Sequence, residues 1–191
     1  MLLDLIASET SPLSLSEEDV VALAACERGT ILLDVAARAD ATLIALTGTN
    51  GRITLSLRAG RLDGEQVLGA VGRPEGPSGA GSAGGIQRRV LDAEDALGLD
   101  DGRPHTIAVT VNETGTHLYA DGYECFSTTL TAFLAQIGLT DVRIDPDGIA
   151  AVTRLAAWDE PLSDRAVMAQ SLPATPLVQF AASELSARDA R

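Results

Sequence analysis

The stretch "DDGRPHTIAVTVNETGTHLYADGYE" (residues 100–124) decides the fold class of this 191-residue chain. Its middle part alternates apolar residues (Ile107, Val109, Val111) with smaller or polar ones, which is the pattern of a strand with one apolar face. The segment "NETGT" predicts a turn, and "HLYA" predicts a second strand. The dipeptide Asp121-Gly122 then predicts a tight hairpin turn, because glycine accepts the positive φ angle that such turns require.

The same two-residue period recurs along the chain. Further strands are predicted over 29–38, 41–49, 52–60, 141–145 and 150–158. Short strands with closely spaced turns, such as Asn50-Gly51, are typical of a sandwich. We therefore predict an all-β fold, a two-sheet antiparallel jelly-roll sandwich with one or two short helices. The side chains predicted to lie between the sheets are Ile31, Leu33, Val35, Ile53, Leu55, Ile107, Val109, Val111 and Leu118.

Residues that alternate with this core are predicted to face outward. They are Arg52, Thr54, Ser56 and Arg58 on one strand, and Thr106, Ala108, Thr110 and Asn112 on another. Tyr119 is predicted to cover a sheet edge with its hydroxyl in water. Trp158 is predicted to pack with Leu162 where the chain turns into its last helix.

Helical signals are few. A helix is predicted within 14–25, which opens with a serine cap and acidic residues, and another within 162–172, capped by Ser163. A short helical turn is predicted within 128–138. The sandwich domain is predicted to span 1–172, with 173–191 as a linker or an extra strand, and the Gly/Ser/Pro-rich stretch over 72–85 as a loop.

Composition limits the partners. The formal net charge is −13, and all of the basic residues are arginine. Such a chain repels phosphate backbones, so nucleic acid and anionic membrane surfaces are predicted not to be partners. No run reaches the roughly 20 apolar residues of a membrane helix. The first ten residues lack the pattern of a signal peptide, and both a secreted and a cytoplasmic location stay open.

Two cysteines, Cys26 and Cys125, lie too far apart in sequence for a Cys-x-x-Cys metal pair. Either they are free thiols or they form one disulfide, which would need an oxidising compartment.

The order of several motifs resembles that of the concanavalin A-like and laminin-G-like jelly rolls. The 100–124 stretch, "ERGTILLDV" (27–35) and "DGIAAVTRLAAWDEPLSD" (147–164) are most similar to the lectin-like domain at the N-terminus of many sialidases. The resemblance implies a non-catalytic module of a glycoside hydrolase, sialidase-like or fructan- and sucrose-hydrolase-like. Such a module would bind glycan or brace the following catalytic domain. The alternative is a protein-interaction sandwich without a sugar ligand, which the low aromatic content of 3% favours.

No enzyme is predicted in this chain alone. The sequence has no Gly-x-Ser-x-Gly elbow, no phosphate loop and no histidine-rich metal set. Acidic residues are frequent, but none stands out as the isolated pair of carboxylates that glycoside hydrolysis needs.

The predicted carbohydrate-binding residues are Arg52, Arg58 and Tyr123. Arg52 and Arg58 lie six residues apart, so both point to the same side of their strand. An arginine fork binds a carboxylate through paired hydrogen bonds, which suits an acidic sugar such as sialic acid. In the lectin-like domains that the chain resembles, sugars contact loops and one concave sheet face.

One loop could hold a metal ion. In "DPDG" (145–148), Asp145 and Asp147 supply oxygen ligands of the kind that Ca²⁺ prefers. A plain Asp-Pro turn is the alternative interpretation, and no other cofactor is predicted.

Overall fold

The computed structural model describes residues 1–7, 13–69, 87–92 and 97–171. The predicted loop over 72–85 and the predicted tail over 173–191 lie outside these ranges. The described strands are β1 (Leu3–Ile6), β2 (Gly29–Ala36), β3 (Ala41–Gly48), β4 (Gly51–Arg58), β5 (Arg61–Leu68), β6 (Gln87–Asp92), β7 (His105–Val111), β8 (Thr116–Ala120), β9 (Tyr123–Thr128), β10 (Leu139–Ile144) and β11 (Ala151–Trp158). The described helices are α1 (Glu17–Ala24), α2 (Leu134–Ile137) and α3 (Asp164–Ser171). None of these helices is long and apolar enough to cross a membrane.

Two antiparallel sheets form the sandwich. The six-stranded sheet has the order β1-β11-β2-β7-β8-β9, and the five-stranded sheet has the order β10-β3-β4-β5-β6. Every described neighbouring pair is antiparallel. The predicted all-β sandwich with short helices is therefore confirmed.

The apolar core lies between the two sheets. All of the side chains predicted for it are buried there. Two helices contribute to the same core: α1 through Leu23, and α2 through Leu134 and Ile137. The predicted serine cap of α1 is Ser16, whose hydroxyl accepts a hydrogen bond from the backbone N–H of Asp19. Helix α1 packs against β10, the edge strand of the five-stranded sheet.

A second apolar layer covers the outer face of the six-stranded sheet. Helix α3 packs Val167 there against Leu32, Ala108, Tyr119, Ala156 and Trp158, with Leu162 alongside. The predicted packing of Trp158 with Leu162 is thus confirmed. The prediction that Thr106, Ala108, Thr110 and Asn112 of the β7 segment face solvent is wrong for the first three, which are all buried. The alternation of apolar and polar residues identifies the face of a strand that contacts the core. It does not show whether a helix distant in sequence, here α3, covers the opposite face.

The hairpin turn between β8 and β9 forms as predicted. Asp121 and Gly122 have φ angles of 51° and 84°. Positive φ at both central residues is the signature of a type I′ turn, whose twist matches that of the flanking strands. The hairpin predicted at Asn50-Gly51 also forms, but its connecting residues are Thr49 and Asn50, since β4 begins at Gly51.

Candidate functional site

The outer face of the five-stranded sheet is the candidate site. The described helices leave it uncovered, since α1 and α2 pack into the core and α3 packs on the other sheet. Strand β4 buries Ile53, Leu55 and Leu57 inward, so Arg52, Thr54, Ser56 and Arg58 belong to the outer face.

Strand pairing arranges this face in rows. In one row, Arg143 of β10 lies opposite Ala45 of β3, which lies opposite Thr54 of β4, which lies opposite Glu65 of β5. In the next row, Thr47 lies between Asp141 and Arg52. Neighbouring strands are about 4.8 Å apart, so each row spans the width of a sugar ring or more. Small side chains therefore occupy the middle of the face, and each of these rows has an arginine towards one end and a carboxylate towards the other.

Two of the arginines are paired with carboxylates. Arg52 Nη2 lies 2.6 Å from Glu65 Oε2, and Arg143 Nε lies 2.9 Å from Asp141 Oδ2. Both guanidinium groups are about half exposed or more, so these pairs contribute little to stability.

Two further arginines meet at the end of the face. Arg58 and Arg61 lie directly opposite each other across the β4–β5 hairpin, and neither forms an ion pair with a described residue. Like charges placed opposite one another on a sheet destabilise it slightly. The described charged side chains of the face are of both signs. The positive ones are Arg52, Arg58, Arg61 and Arg143, and the negative ones are Asp63, Glu65 and Asp141. Positive charge at least balances negative charge here, on a chain whose net charge is −13.

The structure brings together only part of the predicted site. Arg52 and Arg58 share one face, as predicted. Ser56 is on that face but only 7% exposed. Thr110 is buried on the other sheet, where its hydroxyl lies 3.0 Å from that of Thr30, so neither residue is exposed as predicted. Tyr123 begins β9, an edge strand of the six-stranded sheet, and so lies away from the outer face of the five-stranded sheet that carries Arg52 and Arg58, here called the arginine face.

Sequence reasoning missed Arg61 and Arg143. Arg143 lies within a segment that was predicted to be a strand, but its partner strand could not be read from the sequence. Arg61 opens "RLDGEQVL" (61–68), where two acidic residues and a glycine weaken the apolar alternation that would have revealed β5.

The Asp145–Asp147 loop is organised by its own backbone. Asp145 Oδ1 accepts hydrogen bonds from the N–H groups of Ile149 and Ala150, each at 3.0 Å. Asp147 Oδ2 accepts one from the N–H of Thr42 at 3.2 Å. No metal-binding group of three His, Cys, Asp or Glu residues occurs in the part of the chain that the structure describes. These hydrogen bonds fit the turn interpretation, and calcium binding by Asp145 and Asp147 stays a prediction.

Three polar residues of the 100–124 stretch, Asp101, His105 and Asp121, have a structural role. His105 Nδ1 lies 2.9 Å from Asp121 Oδ2, and its Nε2 lies 3.1 Å from Asp101 Oδ1. Asp121 Oδ1 also accepts a hydrogen bond from the N–H of Thr106. Burial opposes the charged ring, but the two carboxylates outweigh it and raise the pKa of His105. This three-residue cluster ties the Asp121-Gly122 turn to the start of β7.

The prediction for Tyr119 is wrong. Strand β8 lies inside the six-stranded sheet, so the ring is buried under α3 rather than at an edge. Its hydroxyl donates to Asp164 Oδ1 at 2.9 Å. Burial and the Asp164 carboxylate raise the pKa of Tyr119.

The cysteines are both free thiols, which settles the alternative left open by the sequence. Cys26 is buried and Cys125 is half-buried.

Comparisons with known proteins support the fold. No family model matches the chain, and no curated protein matches it. Among solved structures, the chain is similar to the CBM40 domain of the Ruminococcus gnavus IT-sialidase bound to α2,3-sialyllactose, with a TM-score of 0.58 and 17% identity over 89% of this chain and 98% of that one. The same domain bound to α2,6-sialyllactose gives a TM-score of 0.57, 16% identity and the same coverage. The binding domain of botulinum neurotoxin DC, in complex with a ligand named SialylT, gives 0.50 and 13% identity over 78% of this chain and 36% of that one. At these identities the likeness shows a shared β-sandwich fold.

Proposed function

We propose that this chain is a non-catalytic, lectin-like module that binds an acidic glycan on the outer face of the five-stranded sheet. The observation that carries the proposal is a sheet face that the described helices leave uncovered, where Arg52, Arg58, Arg61 and Arg143 gather on a strongly acidic chain. The solved structures of similar fold add support, because two of them are sialidase domains bound to sialyllactose.

The chemistry of the face suits such a ligand. A guanidinium fork makes two charge-assisted hydrogen bonds to a carboxylate. Arg58 is available for this role, since no carboxylate among the described residues pairs with it. Arg52 and Glu65 supply donors and acceptors for hydroxyl groups, and the small Thr54 and Ala45 leave room for a ring to approach the sheet.

The wider context belongs to the same proposal. The module would accompany a glycoside hydrolase, with a sialidase-like enzyme favoured over a fructan or sucrose hydrolase because an acidic sugar suits the arginines. It would hold glycan near a separate catalytic domain or brace that domain, and would have no hydrolase activity of its own.

NMR titration tests the proposal. Sialyllactose should shift the backbone amides of residues 52–58, and lactose should leave them unchanged. Arg58→Ala should weaken binding roughly 10- to 150-fold, since a charge-assisted hydrogen bond contributes roughly 1.5–3 kcal/mol. Arg165→Ala is the matched control, because it also removes an exposed arginine, but from α3 on the other side of the sandwich. Equal affinity of the parent and the Arg58→Ala variant, or no shift in the parent, would reject the site.

A further inference from the structure

Arg58 and Arg61, here called the arginine pair, lie at one end of the arginine face. They flank the two-residue turn Ala59-Gly60 and are directly opposite each other across the β4–β5 hairpin. Opposite residues of an antiparallel pair point to the same side, and their Cα atoms are about 4.5–5.5 Å apart. Both side chains are exposed, so the two guanidinium groups can reach one ligand from neighbouring strands.

Other segments of the chain hold this turn in place. Ala59 and Gly60 have φ angles of 50° and 73°, as in a type I′ turn. The N–H of Ala59 donates to Asp40 Oδ1 at 2.7 Å. The carbonyl of Gly60 accepts hydrogen bonds from the N–H groups of Leu97 and Leu99, at 3.1 and 3.2 Å. The backbone beneath the arginine pair is therefore fixed before a ligand arrives, which lowers the entropy cost of binding.

The arginine pair has no carboxylate partner among the described residues. Elsewhere on the face, Arg52 and Arg143 each pair with the carboxylate of a described residue. Like charges placed directly opposite one another on a sheet repel each other and destabilise it. A bound anion between the two guanidinium groups would remove this repulsion, so the arrangement suits a ligand better than it suits the stability of the hairpin.

The shape of the anion decides how many of these donors it can use. One guanidinium fork satisfies both oxygens of a planar carboxylate through two parallel hydrogen bonds. A sulfate or phosphate ester group is tetrahedral and has three terminal oxygens. Two forks that approach it from neighbouring strands can each bind two of these oxygens and share the third. The second arginine therefore adds more to the binding of a tetrahedral anion than to that of a carboxylate.

The charge near the turn favours a single negative charge on the ligand. The Asp40 carboxylate holds the turn from below, and an added Cβ on Gly60 would lie only 2.8 Å from Asp100 Oδ1. A sulfate ester carries one negative charge, whereas a phosphate ester carries about 1.5 to 2 at pH 7. These carboxylates, on a chain with a net charge of −13, repel the second charge of a phosphate ester.

We propose that Arg58 and Arg61 together bind one sulfate ester group of a glycan. The inference rests on the function proposed above, an acidic glycan on the arginine face, and names the acid that the pair prefers. A sugar carboxylate is then a weaker ligand, held by the fork of one arginine.

The test is an NMR titration of the whole chain with sugars that share one ring and differ at C6: galactose 6-sulfate, galactose 6-phosphate, galacturonic acid and galactose. The sulfate should shift the amides of residues 58–61 and bind at least about fivefold more tightly than galacturonic acid, because it accepts from two forks instead of one. The phosphate should bind no more tightly than the sulfate, and galactose should leave these amides unchanged.

Substitution of Arg61 separates a shared site from a single arginine. Arg61→Gln should weaken binding of the sulfate at least about tenfold and that of galacturonic acid less than about threefold, because Arg58 can hold a carboxylate alone. Arg61→Lys keeps the charge without the fork and should restore only part of the sulfate affinity. Arg61→Gln should also unfold at the temperature of the parent or slightly above it, since the repulsion is gone.

Arg28→Gln is the matched control. It makes the same change of charge at an arginine whose side chain is 50% exposed. Arg28 precedes the start of β2, whereas Asp40 follows the end of that strand, so the control lies at the other end of the sandwich from the turn. Affinity for galactose 6-sulfate should be the same in this variant as in the parent.

Sialyllactose, titrated in parallel, separates this inference from the proposed function. Binding of galacturonic acid or the phosphate that is tighter than binding of the sulfate would overturn the inference, and so would sulfate binding that Arg61→Gln leaves intact. If sialyllactose still shifts residues 52–58 in those cases, the proposed function is confirmed without the preference for sulfate. If none of the acidic probes shifts an amide of the arginine face, both are rejected.

Discussion

At the scale of single residues, His105 links stability to pH. Its pKa is raised, although burial opposes the charge, because Asp121 and Asp101 both face its ring. A raised pKa means that the folded chain holds the proton more tightly than the unfolded chain. The stabilisation is therefore fully present below the unfolded value of about 6.5 and is lost as pH rises through the folded value.

We expect the difference in free energy of unfolding between the parent and His105→Gln to be larger at about pH 5.5 than at about pH 8.5. Urea denaturation at the two pH values measures it. Asp101→Asn, which removes one of the two carboxylate partners, should give an intermediate pH dependence. A difference that stays constant with pH would show that His105 contributes only through packing.

Gly122 is required by its backbone angle and also by a neighbour. Its φ is +84°, and an added Cβ would lie 2.8 Å from the Cα of Met168 in α3. Gly148 has a similar φ of +66°, but an added Cβ there would meet nothing within 4 Å. Gly148→Ala should therefore cost about 1 kcal/mol from backbone strain alone, and Gly122→Ala roughly 2–4 kcal/mol. Thermal unfolding of both variants measures the difference, and equal losses would exclude the contact with α3.

Burial should make both thiols slow to react in the folded chain. Burial raises the pKa of Cys125 to about 11 and also raises the pKa of Cys26. Thiolate is the reactive form, so both should react slowly with a disulfide reagent at neutral pH in the folded chain and rapidly in denaturant. Reductant should leave the midpoint of thermal unfolding unchanged, whereas a reductant-sensitive midpoint would contradict the free thiols.

At the scale of elements, the sequence predicts the strands better than it predicts which sheet face a helix covers. Alternation identifies β2, β4 and β7 because one face of each contacts the core. It cannot show that Leu32, on the other face of β2, is also buried, since that depends on Val167 more than a hundred residues later. The same limit applies to the site. The sequence places Arg52 and Arg58 on one side of a strand, but the sheet to which Tyr123 belongs is set by long-range pairing.

Helix α3 offers a matched pair of substitutions. Val167 is fully buried against the six-stranded sheet, whereas its neighbour Met168 is 38% exposed. Val167→Ala should destabilise the fold by about 2 kcal/mol, through lost apolar burial and the cavity that remains. Met168→Ala should cost less than about 1 kcal/mol. Urea denaturation measures both, and equal losses would show that α3 contributes little to the outer layer.

At the scale of the whole molecule, one sheet joins two apolar layers. In β2, consecutive residues Leu32 and Leu33 are both buried, the first under α3 and the second in the core between the sheets. If β2 unfolds, both the core between the sheets and the apolar layer under α3 therefore become exposed. Among the described residues, no helix forms such a second layer on the outer face of the five-stranded sheet.

This shared sheet predicts a single unfolding transition. Trp158 is the only tryptophan, and it is buried in the outer layer, so its fluorescence reports that layer alone. Far-ultraviolet circular dichroism reports the strands of both sheets. If the layers unfold together, the two signals should give the same urea midpoint, and Val167→Ala should lower both by the same amount. If α3 detaches first, the fluorescence midpoint falls below that of circular dichroism, and the variant widens the gap. Such a gap would contradict the single cooperative unit and place α3 in a layer of lower stability.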